Sequence, residues 1–265
     1  MIPFLIAQVV FMTYNIRYDA ATDQPHWSER RGTVAQVMLT HEPDFIGIQE
    51  GLLHQLVYLD SMLAGYARIG VGRDDGAQAG EYSALFFRTD RWTLIAGSDR
   101  TEWFGQTPDR PSMILDAAFP RVMTHGRFVS QDGDIRIRVV NTHFDHVGQA
   151  AREFATGMIL NRISTDWKGE TVVLMGDLNV TPENPVYAML AAGLRDAKPV
   201  SETPHQGPAF TFEGFEALNR DDARRIDYIF VPVAARVMRH THDATRIGRW
   251  YPSDHLPVIA VVSFD

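Results

Sequence analysis

The chain has 265 residues, 45% of them hydrophobic and 22% charged, with no cysteine and a net charge of −8. That balance is ordinary for a globular chain long enough to bury a substantial core, and the missing cysteine excludes disulfides and cysteine-ligated zinc. The acidic charge, with no run of Lys or Arg longer than two, argues against long duplex DNA as a partner, because non-specific affinity for it comes from cations neutralising phosphates.

Taken in order, the apolar start from Ile2 to Met12 is too short to span a bilayer. It lacks the basic flank and cleavage site of a signal peptide. We therefore expect no transmembrane segment and a cytoplasmic location, with a secreted or periplasmic one as the alternative if the start is trimmed. Val9 to Tyr14 reads as a buried strand ending at Asn15, followed by a polar loop through Arg17, Tyr18 and Asp19. A helix is expected from about Ser28, as N-cap, to Thr40, with Val34, Val37 and Met38 on one face. Phe45 to Ile48 is a short buried strand running into Gln49-Glu50. Leu52 to Leu63 is a helix with a leucine stripe.

A β-rich stretch follows, with strands over 66–71, 82–88 and 92–96 between Gly- and Asp-rich turns. Thr101 to Leu115 reads as irregular, with Trp103, Phe104 and two prolines as an aromatic pocket wall. Arg121 to Ser130 and Ile135 to Thr142 form an expected hairpin around Gln131-Asp-Gly133. The clearest helix spans about 148–166, and Asp145 and His146 before it read as helix-start polar groups. Thr171 to Met175 is a buried strand that turns polar at Gly176-Asp177-Leu178-Asn179. A short helix (184–192), a Pro/Gly-rich loop (198–219) and strands over 226–231 and 256–264 complete the chain. His240 and His242 share one strand face and read as two exposed imidazoles rather than a zinc site. No repeat or linker divides the chain, so one domain over 1–265, acting as a monomer, is the expectation.

The polar residues gather where apolar strands start or stop. Asn15, Glu50, Asn141-Thr142-His143, Asp177 with Asn179, and Asp254-His255 all stand at such ends, and Asp227 lies inside the strand Arg225 to Phe230. A carboxylate there is costly unless something pairs with it. On one edge of a sheet pair these residues would form a carboxylate, amide and imidazole pocket. Its chemistry suits phosphate-ester hydrolysis. Asn15, Glu50 and Asp254 offer oxygen to a hard ion, Mg²⁺ or Mn²⁺. Asp177 is placed to deprotonate the attacking water. Asn179 can donate to a phosphate oxygen. His255 and His143 can stabilise the pentavalent state or protonate the leaving oxygen.

Tyr14-Asn15, Gln49-Glu50, Asn141-Thr-His143, Gly176-Asp-Leu-Asn179, Arg225-Ile-Asp227 and Ser253-Asp-His255 occur in the order seen in the endonuclease/exonuclease/phosphatase superfamily. The resemblance spans nearly the whole chain. It implies a four-layer α/β sandwich, two mainly antiparallel sheets packed face to face with helices on both outer sides. It implies Asn15 and Glu50 near the metal, Asp254 closing that site, Asp177 on the water, Asn179 on the phosphate, and His255 paired with Asp227. It also implies Glu81 as the partner of His143, and Arg121 as a phosphate contact. Arg17 and Trp103 join Arg121 and Asn179 as candidate substrate-binding residues. The implied activity is divalent-metal-dependent hydrolysis of a phosphate ester, as phosphodiesterase, nuclease or phosphatase, on a small molecule or a single-stranded end. Two other readings compete. Asn141-Thr-His-Phe-Asp-His146 approaches a metallo-β-lactamase zinc motif but lacks its first histidine, and it leaves Asp177 and Asp254 unexplained. A non-catalytic binding module on the same fold is disfavoured because every expected catalytic position is filled.

Overall fold

The computed structural model describes residues 8–114, 116–216 and 223–264. The expectations for residues 1–7, Leu115 and the end of the loop at 217–219 lie outside them. Among the described residues, thirteen strands and four helices follow one another as β1 (Gln8–Asn15), α1 (Trp27–His41), β2 (Phe45–Gln49), α2 (Leu53–Met62), β3 (Tyr66–Ile69), β4 (Leu85–Arg88), β5 (Trp92–Leu94), β6 (Arg100–Trp103), β7 (Val122–Ser130), β8 (Arg136–His143), α3 (Gln149–Ser164), β9 (Val172–Asp177), α4 (Pro185–Ala191), β10 (Arg195–Asp196), β11 (Asp227–Val231), β12 (Arg236–His242) and β13 (Val258–Ser263).

The strands form two sheets. One runs β12-β13-β1-β2-β4-β3; the other runs β10-β11-β9-β8-β7-β5, with β6 also on β7. β1 and β2 are parallel, as are β8 and β9, and the other pairings are antiparallel. The sandwich implied by the resemblance is therefore the observed architecture, with a parallel pair at the heart of each sheet.

Alternation along the strands builds the layers. Val9 and Phe11 of β1, Phe45 of β2, Ile137 and Val139 of β8, Val173 and Met175 of β9, and Ile229 and Val231 of β11 fill the space between the sheets. The residues between them face outward. Met12, Tyr14, Ile46 and Ile48 pack under Val34 and Met38 of α1 and Leu56 and Leu59 of α2. Val140, Val172, Leu174 and Phe230 pack under α3 and α4. The same period carried one step further puts Asn15, Asn141, His143, Asp177 and Asp227 on the inner faces, at or near the ends of their strands. The strand pattern that makes the core thus also delivers the polar residues to one end of it.

Two glycines permit close approaches here. A Cβ on Gly47 would sit 2.5 Å from Asn141 Oδ1, and one on Gly176 (φ 151°) would sit 2.0 Å from Thr142 O. The first leaves room for a buried polar layer below the strand ends. Gln49 Nε2 donates to Asn141 Oδ1 (2.6 Å) and Thr13 Oγ1 (3.0 Å), and Asn141 Nδ2 donates across the sandwich to Ile48 O (2.9 Å) and Ala84 O (2.8 Å).

Some local expectations change. α1 starts at Trp27, with His26 rather than Ser28 as N-cap, because the Glu29 carboxylate accepts the His26 backbone N–H (2.9 Å). β6 was not expected within the irregular segment. The loop after β10 runs along the edge strand β12, with bridges Ser201 to Val237 and Gln206 to Thr241. That cover buries His240 and His242, each 1% exposed, where two exposed imidazoles were expected.

Candidate active site

The register of three adjacent strands sets the centre of the site. His143 on β8 stands beside Asp177 on β9, and Asp177 stands beside Asp227 on β11. The loop before β13 brings His255 over them. Its Nδ1 donates to Asp227 Oδ2 at 2.9 Å, and its Nε2 faces Asp177 Oδ2 at 3.7 Å. His143 Nε2 approaches the same Asp177 oxygen at 3.4 Å. From the opposite sheet, Asn15 Nδ2 donates to Asp177 Oδ2 (3.1 Å) and to Glu50 Oε1 (3.0 Å). Asp177 Oδ1 accepts the Asn179 backbone N–H (2.9 Å), so the aspartate is held at both oxygens.

Electrostatics separate the roles of these groups. Burial, followed by repulsion from Asp227, pushes Asp177 up to about 7, against the pull of His255 and Asn15. Burial alone would lower His255, but the carboxylates of Asp227 and Asp177 outweigh it and raise the imidazole to about 10. His143 goes the other way. Burial, then the nearby Arg121 and Arg73 cations, hold it well below the ordinary imidazole range. The site therefore pairs a basic carboxylate with an imidazolium on one side and a neutral imidazole on the other. Groups driven apart in this way are the usual signature of acid–base chemistry.

Glu50 and Asp254 form a second group beside this centre. Their side chains are 14% and 15% exposed, and Arg17 reaches both, at 3.8 Å and 4.0 Å. Burial, then the Glu50 charge, raise Asp254 against the opposing effect of His255. Arg17 is itself bound to Asp23 at 3.0 Å and so neutralises the two carboxylates only in part. Two half-buried carboxylates with an excess of negative charge and only oxygen donors fit a hard divalent cation that keeps several waters.

The cleft holding these groups measures about 570 Å³. It collects His143, Asp177, Asn179, His255, Glu81, Arg121, Arg17, Glu50 and Asp254 from the expected site residues, with Asn15 and Asp227 directly behind. Asn179, at φ 51°, commits one amide hydrogen to Phe144 O (3.0 Å). Arg121 is buried, its Nη2 set 3.2 Å from His146 Nδ1, while its Nη1 has no hydrogen-bond partner among the described residues.

Two expectations require correction. Trp103 is 3% exposed, lies outside the cleft and donates its indole N–H to Arg73 O at 2.7 Å. β6 turns it inward, so it buttresses Arg73 and forms no substrate wall. Glu81 does not orient His143. It accepts from Arg73 Nη2 at 2.8 Å, and His143 Nδ1 has no partner among the described residues. Asn15, expected near the metal, is hydrogen-bonded through both ends of its amide. Its Oδ1 accepts the Arg17 backbone N–H (3.0 Å), and the amide nitrogen faces the carboxylates. In this arrangement Asn15 ties Glu50 to Asp177.

Arg73, Phe119, His146, Phe212 and Arg224 also line the cleft and were not among the expected residues. Phe119 is 48% exposed, stacks on His146 and lies under the Arg73 and Arg121 guanidinium groups. Arg73 stands in the same polar turn as its partner Glu81, and that shared turn is the one signal in the sequence that pointed to it.

Taken together, a two-sheet α/β sandwich with a carboxylate and histidine cleft at its strand ends is the architecture of a metal-dependent phosphoester hydrolase. The sequence matches the endonuclease/exonuclease/phosphatase family over residues 12–255, and the chain belongs to that family. The chain is similar to an endonuclease/exonuclease/phosphatase protein from Bacteroides vulgatus, at 33% identity over 98% of this chain and 100% of the other, with a TM-score of 0.92. A mannosyl-6-phosphatase from Bacteroides thetaiotaomicron is 32% identical over 97% of this chain and 100% of its own, with a TM-score of 0.89. The human Nocturnin catalytic domain, 20% identical over 97% of this chain and 94% of its own at a TM-score of 0.75, shares the fold. No curated protein matches the sequence. Members of the family hydrolyse phosphoesters and generally use divalent metals. No helix among the described residues is long and apolar enough to cross a membrane.

Proposed function

We propose that this chain hydrolyses phosphate monoesters of small polar alcohols, sugar phosphates foremost, with Mg²⁺ or Mn²⁺ held by Glu50 and Asp254. The observation that carries this reading is the pairing of two features in one cleft. The Asp177–His255–Asp227 group supplies hydrolytic chemistry, and beside it Arg121, which reaches His146 through Nη2 and Asp145 through Nε at 3.5 Å, keeps a buried Nη1 with no hydrogen-bond partner among the described residues, as does Nε of Arg73, whose Nη2 is held by Glu81. Buried guanidiniums that keep an unfilled N–H toward a cleft favour a compact anion. The exposed Phe119 ring beside them offers a flat apolar surface to a sugar face. The likeness to a mannosyl-6-phosphatase supports the same class of substrate.

A divalent ion at Glu50 and Asp254 would supply Lewis-acid polarisation of a phosphoryl oxygen. The chain's own groups do the rest. Asp177, raised toward neutrality, takes a proton from the attacking water. His255, kept cationic by Asp227, stabilises charge on the pentavalent phosphoryl group and gives its Nε2 proton to the alcohol oxygen as the P–O ester bond breaks. Neutral His143 donates to a phosphoryl oxygen. Asn179 gives its second amide hydrogen to another. Arg121 and Arg73 orient the ester and exclude alternative poses.

Phosphate release from hexose 6-phosphates, measured alongside nicking of supercoiled plasmid at equal Mn²⁺, tests the substrate class. Fast phosphate release with slow nicking is expected. Rapid nicking with a steep salt dependence, and no monoester turnover, would place the chain among the nucleases instead. A second expectation follows from Arg121. Arg121→Ala should raise KM about 10- to 100-fold, the scale of one or two charge-assisted hydrogen bonds, with a smaller effect on kcat. An unchanged KM in steady-state kinetics would remove Arg121 from substrate binding.

A further inference from the structure

Away from the cleft, the covered edge of the first sheet carries three histidines that the reaction does not use. His240 and His242 alternate along β12 to the same side and are buried. The overlying loop brings in a third. The Gln206 N–H donates to His240 O (3.1 Å) and the His242 N–H donates to Gln206 O (2.9 Å), which places His205 against both rings. The ring centroids lie 4.4 to 5.1 Å apart, and one nitrogen from each ring falls within 4.8 Å of the others.

Hydrogen bonds fix where the lone pairs point. His242 Nδ1 lies 2.8 Å from Pro208 O and 3.0 Å from Phe210 O. Carbonyls only accept, so Nδ1 carries the proton and Nε2 is bare. That Nε2 is buried with no hydrogen-bond partner among the described residues. His205 Nε2 lies 3.0 Å from Pro208 O, so its Nδ1 is bare and faces His240 Nδ1 at 3.0 Å. His240 Nδ1 is therefore the donor to His205 Nδ1, and the His242 Nε2 lone pair is left without a donor, at a cost of about 1–3 kcal/mol. A backbone carbonyl that sets ring tautomers is the usual outer support of a histidine metal site. Burial, with each ring's neighbours adding, also keeps His240 and His242 in the neutral form that ligates.

We propose that His205, His240 and His242 bind a borderline divalent transition metal, zinc foremost, through three imidazole nitrogens, with solvent completing the coordination. Tetrahedral zinc at about 2.0–2.1 Å from each nitrogen spaces its ligands roughly 3.3–3.4 Å apart. The 3.0 Å between His205 Nδ1 and His240 Nδ1 is close to that value, and one nitrogen from each ring lies within 4.8 Å of the others; His240 exchanges its hydrogen bond to His205 for the metal by taking the tautomer that bares its ligating nitrogen. Nitrogen donors select zinc over magnesium, the reverse of the Glu50 and Asp254 pair. The role is structural. The loop that supplies His205 continues into Thr211, whose Oγ1 accepts the Ile226 and Asp227 backbone N–H groups (3.0 and 3.1 Å), and into Phe212, whose ring packs on His255 at 4.9 Å. Metal at the histidines would fasten the loop that supports the His255–Asp227 pair.

The test is dialysis of the full chain against Zn²⁺ in excess Mg²⁺, followed by elemental analysis. One zinc per chain is expected for the wild type and for Asp254→Ala, and none for His205→Ala or His242→Gln. Co²⁺ should give the visible bands of a four-coordinate nitrogen site in the same pattern. His205 is only half-buried, so His205→Ala should fold, and its circular dichroism and Mg²⁺-dependent activity verify this. Zinc should raise Tm in the wild type and not in His205→Ala. Equal zinc in wild type and His205→Ala, or no zinc in the wild type, would overturn the proposal.

Discussion

Replacing His255 by Ala, or Asp177 by Asn, is expected to lower kcat by about three orders of magnitude or more, equivalent to roughly 4 kcal/mol of transition-state stabilisation. The two changes remove different things. His255→Ala deletes the imidazolium that Asp227 holds at 2.9 Å. Asp177→Asn keeps the shape and the contact with Asn15 but deletes the base whose pKa burial brings to about 7. Neither change empties the hydrophobic layers, so Tm should move far less than kcat. Asp227→Asn should cost less than either, because it acts on the reaction only through the orientation and charge of His255. Single-turnover kinetics with saturating substrate checks this order. A His255→Ala enzyme near wild-type rate would remove the imidazole from the chemistry.

Arg30→Ala is expected to destabilise the fold by about 3–5 kcal/mol, the scale of removing one partner from a buried charged network. Arg30 is fully buried in α1. Its guanidinium donates to Ile16 O, to Pro252 O (3.2 Å) and to Arg17 O (2.8 Å), with Tyr18 O at 3.4 Å. These carbonyls belong to the loop after β1, which contacts Glu50, and to the loop before β13, which carries Asp254. The Tyr18 N–H is donated to Glu50 (3.1 Å), and Pro252 lies two residues before Asp254. The rings of Trp27 and Phe215 pack on the guanidinium. Alanine would leave several buried carbonyls without a donor and open a cavity. Calorimetry should show Tm falling on the order of 10 °C, and the surviving folded enzyme should bind Mn²⁺ more weakly. A near-neutral change in Tm would show that solvent takes over these carbonyls without cost.

The parts of the site that lie on strands were legible in the sequence, and the parts that lie on loops were not. Asp177, His143 and Asp227 follow apolar alternation by one step, so the period that fills the core also predicts the face they share. The ordered motifs around Glu50, Asn179, Asp254 and His255 extended that reading to the strand ends. Arg73, Phe119 and His146 reach the cleft only because particular turns fold over the sheet edge, and no periodicity encodes that path. Trp103 was misread for the same reason. Its indole looked like an exposed wall until β6 paired with β7 and turned it toward the Arg73 carbonyl. The partner of Glu81 turned on eight residues of local turn rather than on the distant His143. Asn15 ends β1 as its place in the strand pattern requires, and the Arg17 N–H that meets its Oδ1 is a loop contact that no periodicity encodes. The burial of His240 and His242 depends on a Pro/Gly-rich loop that the sequence marks as irregular without saying where it lies.

The central claim is that Glu50 and Asp254 hold a divalent ion on which hydrolysis in this cleft depends. The most direct measurement is the initial rate of phosphate release from a hexose 6-phosphate by protein stripped with EDTA, then titrated with Mn²⁺ or Mg²⁺, for the wild type and Glu50→Ala. The expected result is no turnover in EDTA and full recovery in the wild type on adding metal. Glu50→Ala should stay folded and require far more metal for far less rate. Undiminished turnover in EDTA, or a Glu50→Ala enzyme with the wild-type metal dependence, would contradict it.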